Sequence, residues 1–180
     1  MATTTIRPFR DVSEHEVINL FAFQSGAADR GQFVKISSGF LNDRNNLSLD
    51  LPAGAEYGNT LSRRWSVRPR VNLCGSGDAP LGMLLYDVKE TDENGEKLLY
   101  KPEKQAELQC VLSGQAVPVA TRGIFLYSGV DGNPGAIAAG DTAYSSNFGK
   151  VTTQGAAGAA VGTFLGPIDS NNHVLLKLEL

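Results

Sequence analysis

The sequence predicts an all-β fold: a single β-sandwich or β-barrel-like domain with an extended N-terminal arm and at most one short helix. Three observations carry that prediction. Short segments alternate apolar and polar residues with the period of two that turns one face of a strand to a core and the other to water: LSLDL at 47–51, WSVRPRV at 65–71 and LKLEL at 176–180. The 20 glycines fall between apolar runs without a fixed period, as turns that need positive φ do in β proteins. Helix-forming composition is concentrated in PEKQAE at 102–107, which starts with Pro at a first helical position and continues with strong helix formers.

Residues 1–30 read as an N-terminal arm and a first strand, and residues 31–180 as the β-domain. The first dozen residues are polar and Thr-rich, broken by Pro8, with Ile6 and Phe9 as isolated apolar side chains. Such a segment is either a disordered tail or an arm that orders against a neighbouring subunit. Its anchors are too sparse to fold alone, so it is expected to be flexible in the isolated chain and ordered on a partner. Ser13 and Glu16 have the spacing of a capping box, but Val17-Ile18-Asn19-Leu20-Phe21 is β-branched and aromatic and is assigned to a strand. Further strands are expected at 32–36, 83–88, 97–100, 108–112, 124–127, 142–145, 150–153 and 160–165. Pro69 cannot donate to a ladder, which places 65–71 at a sheet edge or at a bulge. Asn94-Gly95 suits a type I′ hairpin turn, because both residues accept positive φ. The small-residue tract 154–160 is expected as a mobile loop between two strands. A short echo, in which 31–36 and 82–88 resemble 140–145 and 162–165, suggests two related β-units at 31–100 and 108–180.

The composition excludes several functions. A net charge of -3 and a pI near 5.4 give no electrostatic basis for binding a polyanion, so no nucleic acid is expected as partner. Apolar stretches are short and interrupted, so no membrane span is expected, and the first residues lack the apolar run of a secretion signal. Cys74 and Cys110 are the only cysteines; without metal-ligand spacing they are expected to be reduced, buried and inert. His15 and His173 are expected to face solvent, which leaves no nucleophile beside a base. Asp131-Gly132-Asn133-Pro134-Gly135 lacks the ligand order of a calcium loop and reads as a turn. Cys74-Gly75-Ser76-Gly77-Asp78 lacks the third glycine and the helix of a phosphate cradle. Asp92 and Glu93 are expected ionised and solvated in the hairpin turn. No catalytic, cofactor-binding or metal-binding residues are assigned. The concentrated basic feature is Arg63-Arg64 with Arg68 and Arg70. On a strand Arg64, Arg68 and Arg70 share a face opposite Trp65, Val67 and Val71, either as a solvated outer face or as a docking face for an acidic or carbonyl-rich surface.

Two stretches carry a family resemblance. LSGQAVPVATRGI at 112–124 resembles a segment of small structural head proteins of tailed bacteriophages. AGDTAY at 139–144, GKV at 149–151, VGTFL at 161–165 and VLLKL at 174–178 are similar to a progression found in phage capsid decoration, or cement, proteins. EVINLF at 16–21 and GQFVKI at 31–36 extend the likeness loosely over most of the chain. The resemblance implies a non-enzymatic protein without cofactor. It would be added to the outside of an icosahedral shell in the host cytoplasm, clamping adjacent major capsid subunits as a homotrimer or dimer, with no membrane partner. Ile6, Phe9, Arg64, Arg68 and Arg70 are the candidate contacts with capsid or subunit. The alternative is a glycan-binding β-sandwich of a virion or cell surface, with Trp65 and Tyr57 as stacking surfaces. A trimeric β-type enzyme is a third, lacking any visible acid, base or nucleophile cluster.

Overall fold

The structure, a computed structural model, describes residues 6–9, 11, 13–24, 26–38, 70–132, 136–155 and 158–180. Among them the fold is all-β and sandwich-like. One six-stranded antiparallel sheet takes β1 (Ile6–Pro8), β10 (Arg122–Tyr127), β14 (Val174–Glu179), β13 (Ala160–Phe164), β11 (Thr142–Ser145) and β12 (Val151–Thr152), in that spatial order. The second six-stranded sheet runs β2 (Val17–Ile18), β9 (Val119–Ala120), β6 (Gly82–Leu84), β4 (Phe33–Ser38), β5 (Arg70–Leu73) and β3 (Ala22–Phe23). A parallel ladder of β7 (Asp87–Val88) and β8 (Cys110–Val111) is packed with α1 (Pro102–Glu107) and a 3-10 turn, Leu98–Tyr100.

The two large sheets bury different amounts of themselves, and their sequences differ accordingly. In the first sheet Val174, Leu176 and Leu178 are buried while Lys177 and Glu179 are exposed, the alternation of a sheet with one face in water. Phe125, Tyr127, Phe164, Leu176 and Leu178 form the inner face and pack on Phe33, Met83 and Ala120 of the second sheet. The centre of the second sheet is buried on both faces: Val34, Leu84, Val119 and Val71 point the other way, into a cluster with Phe21, Phe23, Val88 and Val117. Its central strands β6 and β9 are accordingly without a polar side chain, whereas β4 and β5 carry Lys35, Ser37, Arg70 and Asn72, and Ile36 and Ser37 reach solvent. Each large side chain withdrawn from water contributes about 1.5–3 kcal/mol to holding the layers together. The second sheet also curls. Its two ends, β2 and β3, are separated in the chain only by residues 19–21; Ala22 bridges to Ala116, and Val117 N–H donates to the Phe21 carbonyl at 2.8 Å. Phe33, Met83 and Ala120 share one core with the first sheet, so the two sheets form one body. The echo noted in the sequence falls on two neighbouring pairs, β4 with β6 and β11 with β13.

Local chemistry explains several elements and corrects others. The capping box is real, with Glu16 accepting from Ser13 N–H at 3.1 Å, but it caps a single 3-10 turn, Glu14–Glu16, before the strand Val17–Ile18 begins. Residues 6–8 of the arm are extended and lie on the chain's own sheet beside β10, so this part orders without a partner. Residues 83–88 are two strands in different sheets, broken at Leu85-Tyr86. Residues 97–100 form the 3-10 turn instead of a strand: Leu98 is buried there over Cys110 and Leu112, and Lys101 N–H donates to the Leu98 carbonyl. The Asn94-Gly95 turn has three residues, not two. Gly95 alone has positive φ, at 80°, and Asp92 N–H donates to the Glu96 carbonyl at 2.9 Å, a type I turn closed by a left-handed glycine. Of the strand expected at 65–71, residues 65–69 with Pro69 lie outside the described residues; Arg70–Leu73 is an interior strand, between antiparallel β4 and parallel β3, and β4 shifts register opposite its start, between Ile36 and Ser38. The expected strand at 47–51 lies outside the described residues, as do Ala156 and Ala157 of the loop joining β12 to β13.

Candidate interaction surface

Of the residues expected to touch a partner, Arg64 and Arg68 lie outside the described residues, as do Tyr57 and Trp65 of the glycan-binding alternative. The other three are placed, and not together. Ile6 turns inward and packs against the main core, while Phe9 is 68% exposed at the end of β1. Arg70 is half-buried at the start of β5, opposite Ala22 and Ser38 in the other sheet.

The strand pairings build a surface around Phe9 that the sequence alone does not reveal. Leu126 of β10 pairs with Arg7 on one side and Leu175 on the other, and Leu165 N–H donates to the Leu175 carbonyl at 2.8 Å. Phe9 N–H donates to the Ile124 carbonyl at 2.9 Å, and Ile124 pairs with Lys177. Residues paired across antiparallel strands share a face. Leu165, Leu175 and Leu126 therefore form one row across three strands on the outer face, with Ile124 and Phe9 in the next. Leu165 is 42% exposed and Leu175, Leu126 and Ile124 are half-buried, where a solvated face ordinarily carries polar side chains. Lys177 and Glu179, joined at 2.8 Å, border the row. The free edge of β1 is blunted. Since Phe9 N–H points into the sheet, alternation turns position 8 outward, and Pro8 has no N–H to offer there.

A second exposed aromatic is held by a strained turn. Phe148, 74% exposed, has φ 59° and ψ 29° within the 3-10 turn Asn147–Gly149. Gly149 N–H donates to the Cys74 carbonyl at 2.9 Å, Gln32 Nε2 donates to the Phe148 carbonyl at 3.2 Å, and Asn147 Oδ1 accepts from Ser76 N–H at 3.1 Å. At position 149 a Cβ would lie 2.7 Å from the Phe33 carbonyl oxygen, so only glycine permits this approach.

The ionisable groups are mostly structural. Burial pushes the Cys74 thiol up to about 12, with Asp78 adding to the shift, and burial also raises Cys110; both are free and buried, as the sequence suggested. Asp92 is not solvated as expected. Its side chain is fully buried, pairs with Lys104 and accepts from the N–H groups of Asn94 and Glu96 at 2.8 Å each, and the Lys104 contact holds its carboxyl below the usual range. Lys35, 2.7 Å from Asp78, lowers that carboxyl in the same way. His15 is exposed; His173 is half-buried in a turn whose N–H donates to Asp169 Oδ1 at 2.7 Å. Among the described residues no three His, Cys, Asp or Glu side chains gather as metal ligands, and no helix is long and apolar enough to cross a membrane.

The sequence reading missed Phe148, the Leu165–Leu175–Leu126 row and the exposed Tyr100. A signal existed for two of them: Leu175 puts an apolar residue on the outward side of an otherwise alternating strand, and Phe148 stands between Asn and Gly, two turn formers. No family model matches the chain, and no curated protein or solved structure is significantly similar to it.

Proposed function

We propose that this chain is a non-enzymatic structural protein that binds the outer surface of a bacteriophage capsid as a homo-oligomer and stabilises contacts between major capsid subunits. The observation that carries the reading is the outward apolar row of Leu165, Leu175 and Leu126 with Ile124 and Phe9, set on the antiparallel sheet beside the Lys177–Glu179 ion pair. An apolar row of this kind suits a protein surface that excludes water at its centre and leaves ions at its rim. The resemblance of 112–124 and 139–178 to phage head proteins supplies the kind of partner. The mechanism is multivalent docking: several modest contacts on one oligomer act at high effective concentration, so occupancy is high although each contact is weak.

The test is a binding series with purified particles of the source phage. Mass spectrometry should find the chain in the particles, and stripped particles should take it up again and withstand higher temperature. Replacing Leu175 by Lys should abolish uptake while leaving the fold intact. Absence of the chain from purified particles would sink the proposal.

A further inference from the structure

Asn94-Gly95 is the one Asn-Gly pair in the sequence, and the fold leaves both residues exposed at the tip of the 92–96 turn. Glycine has no side chain to screen its backbone nitrogen, and a Cβ built at Gly95 meets no atom within 4 Å, so the approach to that nitrogen is open. The Asn94 side-chain amide makes no hydrogen bond among the described residues, which leaves its carbonyl carbon free to turn towards the chain.

Of the hydrogen bonds that hold the turn, the longest falls on the Gly95 nitrogen. Gly95 N–H donates to the Asp92 carbonyl at 3.2 Å, whereas Asp92 N–H donates to the Glu96 carbonyl at 2.9 Å and Asp92 Oδ1 accepts from the N–H groups of Asn94 and Glu96 at 2.8 Å each. The turn is thus gripped at its base and by the buried Asp92 carboxylate, while its exposed tip opens locally at small cost.

We propose that Asn94 is a self-modification site whose co-reactant is water and whose product loosens the contact between Asp92 and Lys104. The Gly95 nitrogen, having given its proton to a solvent base, attacks Asn94 Cγ. An N–Cγ bond forms, the Cγ–Nδ2 bond breaks and ammonia leaves, which closes a five-membered imide. Nucleophile and carbonyl belong to adjacent residues, so the step is intramolecular. Water then adds to one imide carbonyl, whose bond to the ring nitrogen breaks. Opening at Cγ gives aspartate in an ordinary chain; opening at the main-chain carbonyl gives isoaspartate, whose chain runs through Cβ and Cγ. Nothing is oxidised or reduced.

The two products carry the same added negative charge and differ in what they do to the turn. Isoaspartate inserts one backbone atom between the N–H groups of positions 94 and 96, which Asp92 Oδ1 bridges. Both donors no longer reach one oxygen, and the fully buried carboxylate that also holds Lys104 of α1 loses a partner. This modification is a property of the turn itself and does not depend on a capsid.

The test ages the folded full chain at mildly alkaline pH and maps its peptides over time by mass spectrometry, with fragmentation that separates aspartate from isoaspartate. Position 94 should convert first, giving both products, at a rate within about tenfold of the urea-unfolded chain. Earlier conversion of another asparagine, or conversion of Asn94 in the unfolded chain alone, overturns the proposal. The isoaspartyl fraction, purified by chromatography, is then compared with Asn94→Asp, which has the same charge and the ordinary linkage. It should unfold at a lower temperature, and the N–H groups of Gln105 and Leu108, which donate to the Lys101 and Lys104 carbonyls, should exchange about tenfold faster. Equal melting temperatures would show that the Asp92 contact does not sense the linkage and overturn the proposed consequence. Asn94→Ser has no amide to lose and should hold its melting temperature throughout the ageing; a fall matching that of the wild type would place the damage elsewhere and overturn the assignment.

Discussion

The ring of Tyr127 on β10 meets the ring of Phe33 on β4 edge-on, with centroids 6.3 Å apart and planes at 78°, and this contact joins the two large sheets. The Tyr127 hydroxyl is wholly buried at that junction and has no hydrogen-bond partner among the described residues. Burial raises its pKa, so it stays neutral, and an unpaired buried hydroxyl costs about 1–3 kcal/mol. Tyr127→Phe should therefore leave the urea midpoint unchanged or raise it, whereas Phe33→Ala should cost about 3–5 kcal/mol by opening a cavity between the sheets. A clear loss of stability in Tyr127→Phe would show that the hydroxyl is satisfied.

Asp92 contributes to the acid side of stability, alongside Asp78, Asp169 and Glu179, whose carboxyls are also held below their usual range. The folded pKa of Asp92 is depressed, chiefly by Lys104, so its contribution is present above the unfolded value of about 3.9 and is lost as pH falls through the lower folded value. Lys104 is raised by the same contact, so its contribution is present below its unfolded value of about 10.4 and fades as pH rises through the higher folded one. Urea midpoints recorded from neutral pH downward should fall less steeply for Asp92→Asn than for wild type. Parallel acid limbs would refute the assignment.

Both thiols should be slow to react in the folded protein. Cys74 is buried with its pKa pushed up to about 12, and Cys110 is buried and raised as well, so little thiolate exists near neutral pH and access is blocked. Ellman titration should label both only as the chain unfolds. Immediate stoichiometric labelling would contradict the burial.

Removing residues 1–10 should lower stability as well as any docking. The pairing of Ile6–Pro8 with Phe125–Tyr127 and the packing of Ile6 on the core would be lost together, at a cost of about 1–3 kcal/mol. Thermal unfolding of the truncated chain measures this. An unchanged midpoint would mean that the strand contributes nothing to the isolated fold.

The elements that were legible in the sequence are those whose signal is local. The helix at Pro102–Glu107 and the strand at Thr142–Ser145 have the bounds the sequence indicates, because Pro at a first turn and a Gly-Asp turn before a β-prone run act within a few residues. Residues 97–100 misled because Leu98 is buried by Cys110 and Leu112, a tertiary reward that overrides strand propensity. Asp92 looked solvated because its partner Lys104 stands on a helix that only the fold brings back to the turn. The apolar row was hidden for a similar reason. Leu165, Leu175 and Leu126 become neighbours only once β13, β14 and β10 are in register, whereas Phe9 stood out as an isolated apolar residue in a polar arm.

The curl of the second sheet also sets the order in which the chain can fold. Val17 pairs with Ala120 and Ile6 with Tyr127, so the first strands wait for partners about a hundred residues further on. During synthesis β3, β4, β5 and β6 can pair with one another while β1 and β2 have nothing to join. β2 gains its partner only when β9 emerges and β1 only when β10 does, and the first sheet is completed by β11 to β14 after that. Folding dominated by such distant pairings is slow, on the order of milliseconds to seconds, and β1 and β2 should gain amide protection later than β4, β5 and β6 in pulse-labelling hydrogen exchange.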